Sequence, residues 1–329
     1  MARNEQKFNI DNVEIRTWHS KDGSNDDLVL LMNASHLFEV TNEWLNHKMA
    51  WGTGGLAAVA YYEDRPIGLA LLGCAPYCLA GQPTRLMWSL DNYVLEEFRG
   101  RGVYRKLLGN LVQAANEAGT DWILTFPNSQ SRPGFEHAGW KPLPPMWAHV
   151  HPVLNGGPFQ KIRKIQKLTK SIRLPFKAAP DLGLSYADLD ELVTSKPPEK
   201  ERLEFDSSSP ALWWRFHAKR KTDYRVVRMD SYSAVVRVGY RGVLQEVQIL
   251  ATFPRHLEPH NMRKLIATIR ETHDVDLITR ISNEQLSMLQ TLRTGFWRLR
   301  KVTTPMLWNS RGLESQANPT LSGIDLHLW

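Results

Sequence analysis

The sequence predicts an α/β protein made of two tandem domains, each with a mixed, mostly antiparallel sheet flanked by helices. Three observations predict this class. The chain has 329 residues, more than one average domain needs. Its first half contains a strand, a glycine-rich turn, a helix and another strand in direct succession. Its second half repeats the order of these elements.

Strand and helix patterns alternate through the first half. Thr41 is placed to cap the second helix, and the residues Glu63, Asp64 and Arg65 are typical of a hairpin turn between two apolar, β-prone runs. The predicted strands cover residues 13–17, 55–62, 66–74, 85–95 and 122–126, and the predicted helices cover residues 26–31, 41–49 and 103–118.

The strand over 85–95, the helix over 103–118 and the strand over 122–126 form a parallel crossover unit. Such a unit is right-handed and places its connecting turn at the carboxyl edge of the sheet, where open α/β sheets bind ligands. The turn contains Gly100 and Gly102 among basic residues. Glycines let bare N–H groups approach a ligand, and a helix N-terminus adds partial positive charge. The turn therefore predicts an anion site.

A proline- and glycine-rich stretch over 142–158 separates the two halves. We expect a first domain over 1–150, a basic connector over 151–205 and a second domain over 206–329. The predicted elements of the second half are two strands within 224–240, single strands over 244–253 and 277–281, and a helix over 260–272.

The end of each half is also similar. Gly139-Trp140 and Gly295-Phe296 follow Asn128 and Asn283 at nearly the same spacing, and each pair is followed by a proline-containing strand. Those strands contain Met146 and Met306. The matching order predicts a duplication.

The charge is concentrated in one segment. The net charge is +7, and the basic residues of one short stretch equal that excess. They are Lys161, Arg163, Lys164, Lys167, Lys170, Arg173 and Lys177. Apolar residues recur among them at helical spacing, so the segment is either an amphipathic connector helix with a solvated basic face or a surface for an anionic substrate, nucleic acid or membrane lipid.

Composition excludes several classes of protein. With 42% apolar and 23% charged residues, the chain can form a folded core. Its longest apolar runs are too short to span a membrane, and no export signal follows Met1, so we expect a cytoplasmic protein. Cys74 and Cys78 lack partners for zinc, and no metal site is expected.

The first half resembles the GNAT superfamily of N-acetyltransferases. The acetyl-CoA signature of that family is Arg or Gln, two residues, Gly, one residue, and Gly or Ala. Arg99 and Gly102 match it, whereas Tyr104 departs from it. The residues that match a second family signature are Asn128, Ser131, Phe135 and Gly139-Trp140. The resemblance covers about 90 residues and is greatest to bacterial members encoded among sugar and polysaccharide enzymes.

The resemblance implies acetyl-CoA, or another short acyl-CoA, as the acyl donor. The N–H groups of residues 100–104 would bind the pyrophosphate, and neighbouring arginines would add charge. The strand before the turn would lie beside the pantetheine, and one of its N–H groups would polarise the acyl carbonyl. Asn128 would contact the pantetheine or form a purely structural hydrogen bond. The residues expected to bind the donor are Val94, Leu95, Glu96, Arg99, Gly100, Arg101, Gly102, Val103, Tyr104, Arg105, Asn128 and Phe135.

The expected general base is Asp91, which could accept the proton of the amine through water. Its alternative role is to pair with a neighbouring strand or an arginine. Glu97 and His149 are the reserve bases.

Relatives often have a tyrosine proton donor where this chain has Phe135, which has no proton to give. Either Ser131 or Tyr104 substitutes for it, or the thiolate leaves unprotonated.

The expected function is therefore transfer of an acetyl or other short acyl group from CoA to a primary amine, such as that of an amino sugar. The alternatives are transfer to a nucleic-acid or nucleobase amine, with nucleic acid bound through residues 161–177, and a CoA-binding scaffold without turnover. Residues 253–259 of the second half contain two prolines and no glycine. We therefore expect a degenerate second domain that does not bind acetyl-CoA in the same way. The oligomeric state stays open.

Overall fold

The computed structural model describes residues 8–23, 25–35, 39–79, 81–154, 158–171, 176–178, 203–206, 208–217, 224–254, 257–283, 288–310, 319 and 321. Its strands are β1 (Glu14–His19), β2 (Leu56–Tyr62), β3 (Arg65–Leu79), β4 (Gln82–Val94), β5 (Trp122–Thr125), β6 (Lys141–Pro142), β7 (Met146–Pro152), β8 (Phe176–Ala178), β9 (Leu203–Phe205), β10 (Tyr224–Arg228), β11 (Ser233–Arg241), β12 (Leu244–Phe253), β13 (Leu277–Ser282), β14 (Trp297–Thr303) and β15 (Met306–Asn309). Its α-helices are α1 (Asp26–Ser35), α2 (Asn42–Met49), α3 (Val103–Glu117), α4 (Arg132–His137), α5 (Pro158–Ser171), α6 (Ser209–His217), α7 (Pro259–Thr272) and α8 (Met288–Thr294). Short 3-10 helices cover Ile10–Asn12, Ser20–Asp22 and Glu96–Phe98.

The chain forms two compact units, and each contains one mixed sheet. The sheet of the first unit runs β1-β2-β3-β4-β5-β15-β6, and that of the second runs β10-β11-β12-β13-β7-β14. The first unit comprises Met1–Tyr77, Pro83–Leu143 and Pro305–Gln316, and the second comprises Cys78–Gln82, Pro144–Thr304 and Ala317–Trp329. The predicted class, two tandem α/β domains with mixed sheets, is confirmed.

Each sheet contains at least one strand from the other half of the sequence, and β9 also pairs with β3 in the first sheet. β7 pairs with β13 and β14 in the second sheet, whereas β15 pairs with β5 and β6 in the first. These are the strands that begin at Met146 and Met306, each directly after a proline. The domain boundaries at 150 and 205 stay a prediction. The compact units divide the chain differently, since residues 144–150 fall in the second unit and residues 305–316 in the first.

In the first unit, helices cover both faces of the sheet. The apolar side of α3 packs on one face, and α1 and α2 pack on the other. The α3 residues in this core are Val103, Leu107, Leu108, Leu111 and Ala115. The residues that α1 and α2 bury are Leu28, Leu31, Met32, Leu45 and Met49. A sheet covered in this way is buried on both faces, which explains the continuous apolar runs of β2 and β3.

Two predictions that rest on a few adjacent residues, a helix cap and a hairpin turn, are confirmed. Thr41 caps α2, since its hydroxyl accepts a hydrogen bond from the Trp44 N–H at 3.2 Å. Glu63 and Asp64 both have positive φ, as the tight hairpin between β2 and β3 requires. Within the described parts of the chain, no helix is long and apolar enough to cross a membrane.

Candidate functional site

The candidate site lies where β4 runs past the end of β5. The two strands are parallel and pair from Leu86 with Trp122 to Ser89 with Thr125. β5 ends at Thr125, whereas β4 continues to Val94. The last part of β4 therefore presents one backbone edge beyond its β5 partner. An extended molecule could pair with this edge as an added strand does.

The direction of the backbone N–H groups follows from one hydrogen bond. The Leu95 N–H donates to the Ile67 carbonyl on β3 at 2.9 Å. Successive residues of a strand direct their N–H groups to opposite edges. The N–H of Val94 is therefore directed away from β3, towards the edge that β5 leaves.

A glycine turn joins this strand to α3. Gly100 and Gly102 have φ of +71° and +87°, which glycine adopts without strain. Gly102 is the N-cap of α3 and supplies no side-chain cap, and the first turn of the helix contains no acidic residue. Since the first N–H groups of a helix have no partner within it, the start of α3 offers backbone donors and a positive dipole end to an anion.

The arginines of the turn do not all point outwards. The Arg99 Nε donates to the Val94 carbonyl at 2.9 Å, and its guanidinium lies 5.4 Å from the centre of the Tyr93 ring. The Arg101 guanidinium stacks over Phe8 at 5.3 Å. Arg105 is exposed on the first turn of α3. The positive charge of Arg99 and Arg101 is thus held close to the turn by neighbouring groups.

Asn128 and Ser131 form the start of α4. The Asn128 side-chain oxygen accepts hydrogen bonds from the N–H groups of Gln130 at 2.9 Å and Ser131 at 2.8 Å. In return, the Ser131 hydroxyl accepts from the Asn128 N–H at 3.2 Å. These bonds tie the Asn128 side-chain oxygen to the start of α4, and they leave the Ser131 proton free to be donated.

Tyr104 fills the space between α3 and α4. Its ring meets Phe135 edge to face at 6.0 Å, and a Cβ on Gly134 would come within 2.5 Å of it. The Tyr104 hydroxyl is buried and has no hydrogen-bond partner among the described residues. Burial raises its pKa well above the usual 10. The group therefore keeps its proton, and it is better suited to donate a hydrogen bond than to release a proton.

Asp91 forms an ion pair with Lys48 of α2. The Lys48 ammonium is 1% exposed, donates to the Asp91 carboxylate and lies 4.5 Å from the centre of the Trp44 ring. The Asp91 side chain is 20% exposed. If Asp91 took up a proton, the buried Lys48 ammonium would lose the negative charge of this partner. The geometry therefore favours the pairing role of Asp91, with lysine as its partner, over the role of base.

The two reserve bases lie in different surroundings. Glu97 is exposed and pairs with Arg65 at 2.9 Å, and its own backbone N–H and the Arg65 guanidinium lower its pKa. His149 is fully buried on β7 in the second unit. In the described parts of the chain, no group of His, Cys, Asp and Glu side chains is arranged to hold a metal ion.

The sequence predictions missed Lys48. It lies on the apolar side of α2, three residues after Leu45 and beside Met49. A basic residue at a buried helical position signals a buried partner, because an unpaired ammonium is too costly to bury. The sequence alone does not identify that partner as Asp91, 43 positions away.

The second unit contains a crossover like that of β4, α3 and β5. β12 and β13 are parallel, and α7 connects them. However, the N-cap of α7 is Glu258, and proline stands at its first turn. An acidic residue already complements the positive end of this helix, and proline removes a donor. The start of α7 therefore offers an anion fewer free backbone donors than the start of α3.

Neither a model of a known protein family nor a curated protein matches the sequence. Solved structures match the fold. A GCN5-related N-acetyltransferase from Anabaena variabilis is 15% identical with a TM-score of 0.59, over 89% of this chain and 72% of that chain. Another GCN5-related N-acetyltransferase, from Kribbella flavida, is 12% identical with a TM-score of 0.53, over 91% and 72%.

A third solved structure was determined with a CoA ester. Saccharomyces cerevisiae N-myristoyltransferase with bound myristoyl-CoA is 12% identical with a TM-score of 0.51, over 93% of this chain and 81% of that chain. At these identities the likeness concerns the fold. The chain has the fold of the GCN5-related N-acetyltransferases, with the glycine turn in the first of its two units.

Proposed function

We propose that the first unit is an acyl-CoA-dependent N-acyltransferase that moves an acetyl or other short acyl group to a primary amine. The observation that carries the proposal is the extension of β4 past β5 into a glycine turn, followed by the uncapped start of α3. Such a start is suited to the CoA pyrophosphate. The myristoyl-CoA bound by yeast N-myristoyltransferase, which has a similar fold, supports a CoA ester as donor.

Each donor contact has a proposed position. The N–H groups of residues 100–104 bind the pyrophosphate, and Arg101 and Arg105 add positive charge. The pantetheine lies along the end of β4, beside Val94, Leu95 and Glu96. The donor supplies the thioester carbonyl, which the Val94 N–H polarises, since the Leu95 N–H is already bonded to Ile67.

The leaving thiolate requires a hydrogen-bond donor that stays protonated. We propose the Tyr104 hydroxyl, because it is buried, lacks a partner among the described residues and lies against Phe135. Ser131 is a second donor, since its hydroxyl only accepts in the bonds described above. Both would stabilise negative charge on sulfur by hydrogen bonding.

The amine must lose a proton, and we propose that water rather than Asp91 takes it. In the double variant Lys48→Met with Asp91→Asn, neither side chain is charged and no buried ammonium is left unpaired. If Asp91 only pairs with Lys48, this variant keeps most of the transfer rate. A base role would instead abolish the rate and remove one ionisation from the pH profile.

The acceptor is proposed to be an amino sugar or a related small metabolite, following the resemblance to bacterial proteins of polysaccharide gene clusters. A panel of amines, including glucosamine and small diamines, tests this through the release of free CoA thiol. A second candidate function is CoA binding without turnover. It is favoured by Phe135, which has no hydroxyl, and by the pairing of Asp91 with Lys48. Binding of acetyl-CoA without thiol release on any amine would support it.

Donor binding is tested by the thermal shift that acetyl-CoA causes. A ligand at one hundred times its Kd stabilises the folded protein by about 2.7 kcal/mol. Gly102→Pro is expected to abolish the shift, because it removes an N–H from the turn and forbids the positive φ. The control is Gly242→Pro, at a turn of the second unit with φ of +61°. Loss of the shift in both variants, or in neither, contradicts the proposed site.

A further inference from the structure

Helix α5 in the second unit exposes two large apolar side chains. Ile162 is 52% exposed and Ile165 is 46% exposed, one helical turn apart. The side of the helix opposite Ile162 carries the half-buried Lys164 and the buried Ser171, and the half-buried Leu168 lies one turn after Ile165, at the edge of the inward side. The isoleucines therefore lie on the outward side, although α5 has a well-defined inward side.

Positive charge lies on the flank of Ile162 that points away from Ile165. Arg163, Lys167 and Lys170 are all exposed and occupy positions i, i+4 and i+7, so they share one side of the helix over about 10 Å. The sequence of α5 contains no acidic residue. The solvent-exposed side of α5 thus carries apolar side chains on one flank and basic side chains on the other, with no acidic residue in the helix, and we call it the α5 face, comprising Ile162, Arg163, Ile165, Lys167 and Lys170.

The body of the second unit fixes the orientation of the helix. The Lys164 ammonium pairs with Asp276 at 3.0 Å and donates to the Val153 carbonyl at 3.4 Å. Rotation of α5 to bury the isoleucines would break both contacts. The face is thus held towards the outside.

We propose that the α5 face binds the surface of an anionic lipid bilayer. A helix that lies in the membrane interface has this composition, with apolar side chains at the boundary of headgroups and acyl chains and basic residues among the lipid headgroups. Basic clusters on amphipathic helices fit acidic lipids such as phosphatidylserine by charge. A nucleic acid would use the basic residues but would leave both isoleucines in water. This function is independent of the proposed acyl transfer.

The test is co-sedimentation of the full chain with vesicles of phosphatidylcholine, alone or mixed with phosphatidylserine. We expect binding to the mixed vesicles only, weakened by salt. One basic residue near an acidic bilayer strengthens binding to the vesicles about fivefold. The double variant Lys167→Glu with Lys170→Glu should therefore weaken vesicle binding at least about 25-fold. The control is Arg263→Glu with Lys264→Glu, which changes two exposed basic residues of α7 and gives the same net charge. Equal weakening by both double variants would overturn the proposal.

A second pair of substitutions separates lipid from nucleic acid. Ile162→Ser with Ile165→Ser keeps every charge and should weaken vesicle binding by about tenfold, because it removes the inserting side chains. Binding of the same variants to duplex DNA and to RNA is measured in parallel. Vesicle binding that survives the serine substitutions overturns the proposal. The proposal is also overturned if the protein does not bind vesicles but binds nucleic acid, and if that binding is lost when Lys167 and Lys170 are replaced.

Discussion

The ion pair between Lys48 and Asp91 predicts an unequal response to the loss of either partner. Asp91→Asn removes the carboxylate partner of the Lys48 side chain, which is 1% exposed, whereas Lys48→Met leaves a carboxylate that is 20% exposed and can reach water. Removing one partner of a buried pair typically costs about 3–5 kcal/mol, and we expect Asp91→Asn in this range. Lys48→Met should cost about 1–3 kcal/mol.

The double variant makes this prediction sharper. With both changes made, neither side chain of this pair is charged, and apolar replacement of a buried pair is often nearly neutral. The double variant should therefore be more stable than Asp91→Asn alone, with a coupling energy of about 2 kcal/mol or more.

Hydrogen exchange measured by mass spectrometry on peptides of α2 and β4 gives the free energy of opening in the first unit. Additive losses, or a smaller loss for Asp91→Asn than for Lys48→Met, would refute the reasoning.

Three further predictions concern packing and pH. Met306 is fully buried in the first unit, so Met306→Ala should cost about 2–5 kcal/mol there, and faster exchange in the second unit rather than in β5 would argue against the strand exchange. Gly134→Ala should cost about 1–3 kcal/mol through its contact with the Tyr104 ring, and Tyr104→Leu should recover most of that loss in urea unfolding. Burial lowers the pKa of His151 below 6.5, so the unfolded chain binds the proton more readily and stability falls as the pH drops through 6.5. His151→Gln should reduce the difference in urea midpoint between pH 7.5 and pH 5. An unchanged difference would show that His151 is not the source of this pH dependence.

The crossover in the first unit could be predicted because its signals are local. The apolar period of α3, the glycines before it and the strands on either side all lie within one stretch of sequence, and helix and turn preferences act over such distances. The N-cap at Thr41 and the hairpin at Glu63 and Asp64 are equally local.

The exchange of β7 and β15 could not be predicted in this way. Both strands follow a proline and begin with a buried methionine, Met146 and Met306, so their apolar patterns fit either sheet. The choice between the sheets depends on contacts between residues far apart in the chain, which periodicity does not report.

The candidate site shows the same limit. The glycine turn follows from the sequence, whereas the partners of its side chains do not. The position of Asp91 on β4 is compatible with a base, but the fold pairs it with Lys48 of α2. Tyr104 departs from the family signature, and the fold packs its ring against Gly134 and Phe135. Roles of single side chains depend on tertiary neighbours, and those roles are therefore the least predictable part of the site.

The most direct test of the central claim is calorimetric titration of the full chain with acetyl-CoA, followed by an assay of thiol release with the amine panel. We predict saturable binding at one site, lost in Gly102→Pro and kept in Gly242→Pro, and thiol release that depends on an added amine. A chain that does not bind acetyl-CoA, or that binds it equally well after Gly102→Pro, would contradict the assignment of the glycine turn as the donor site.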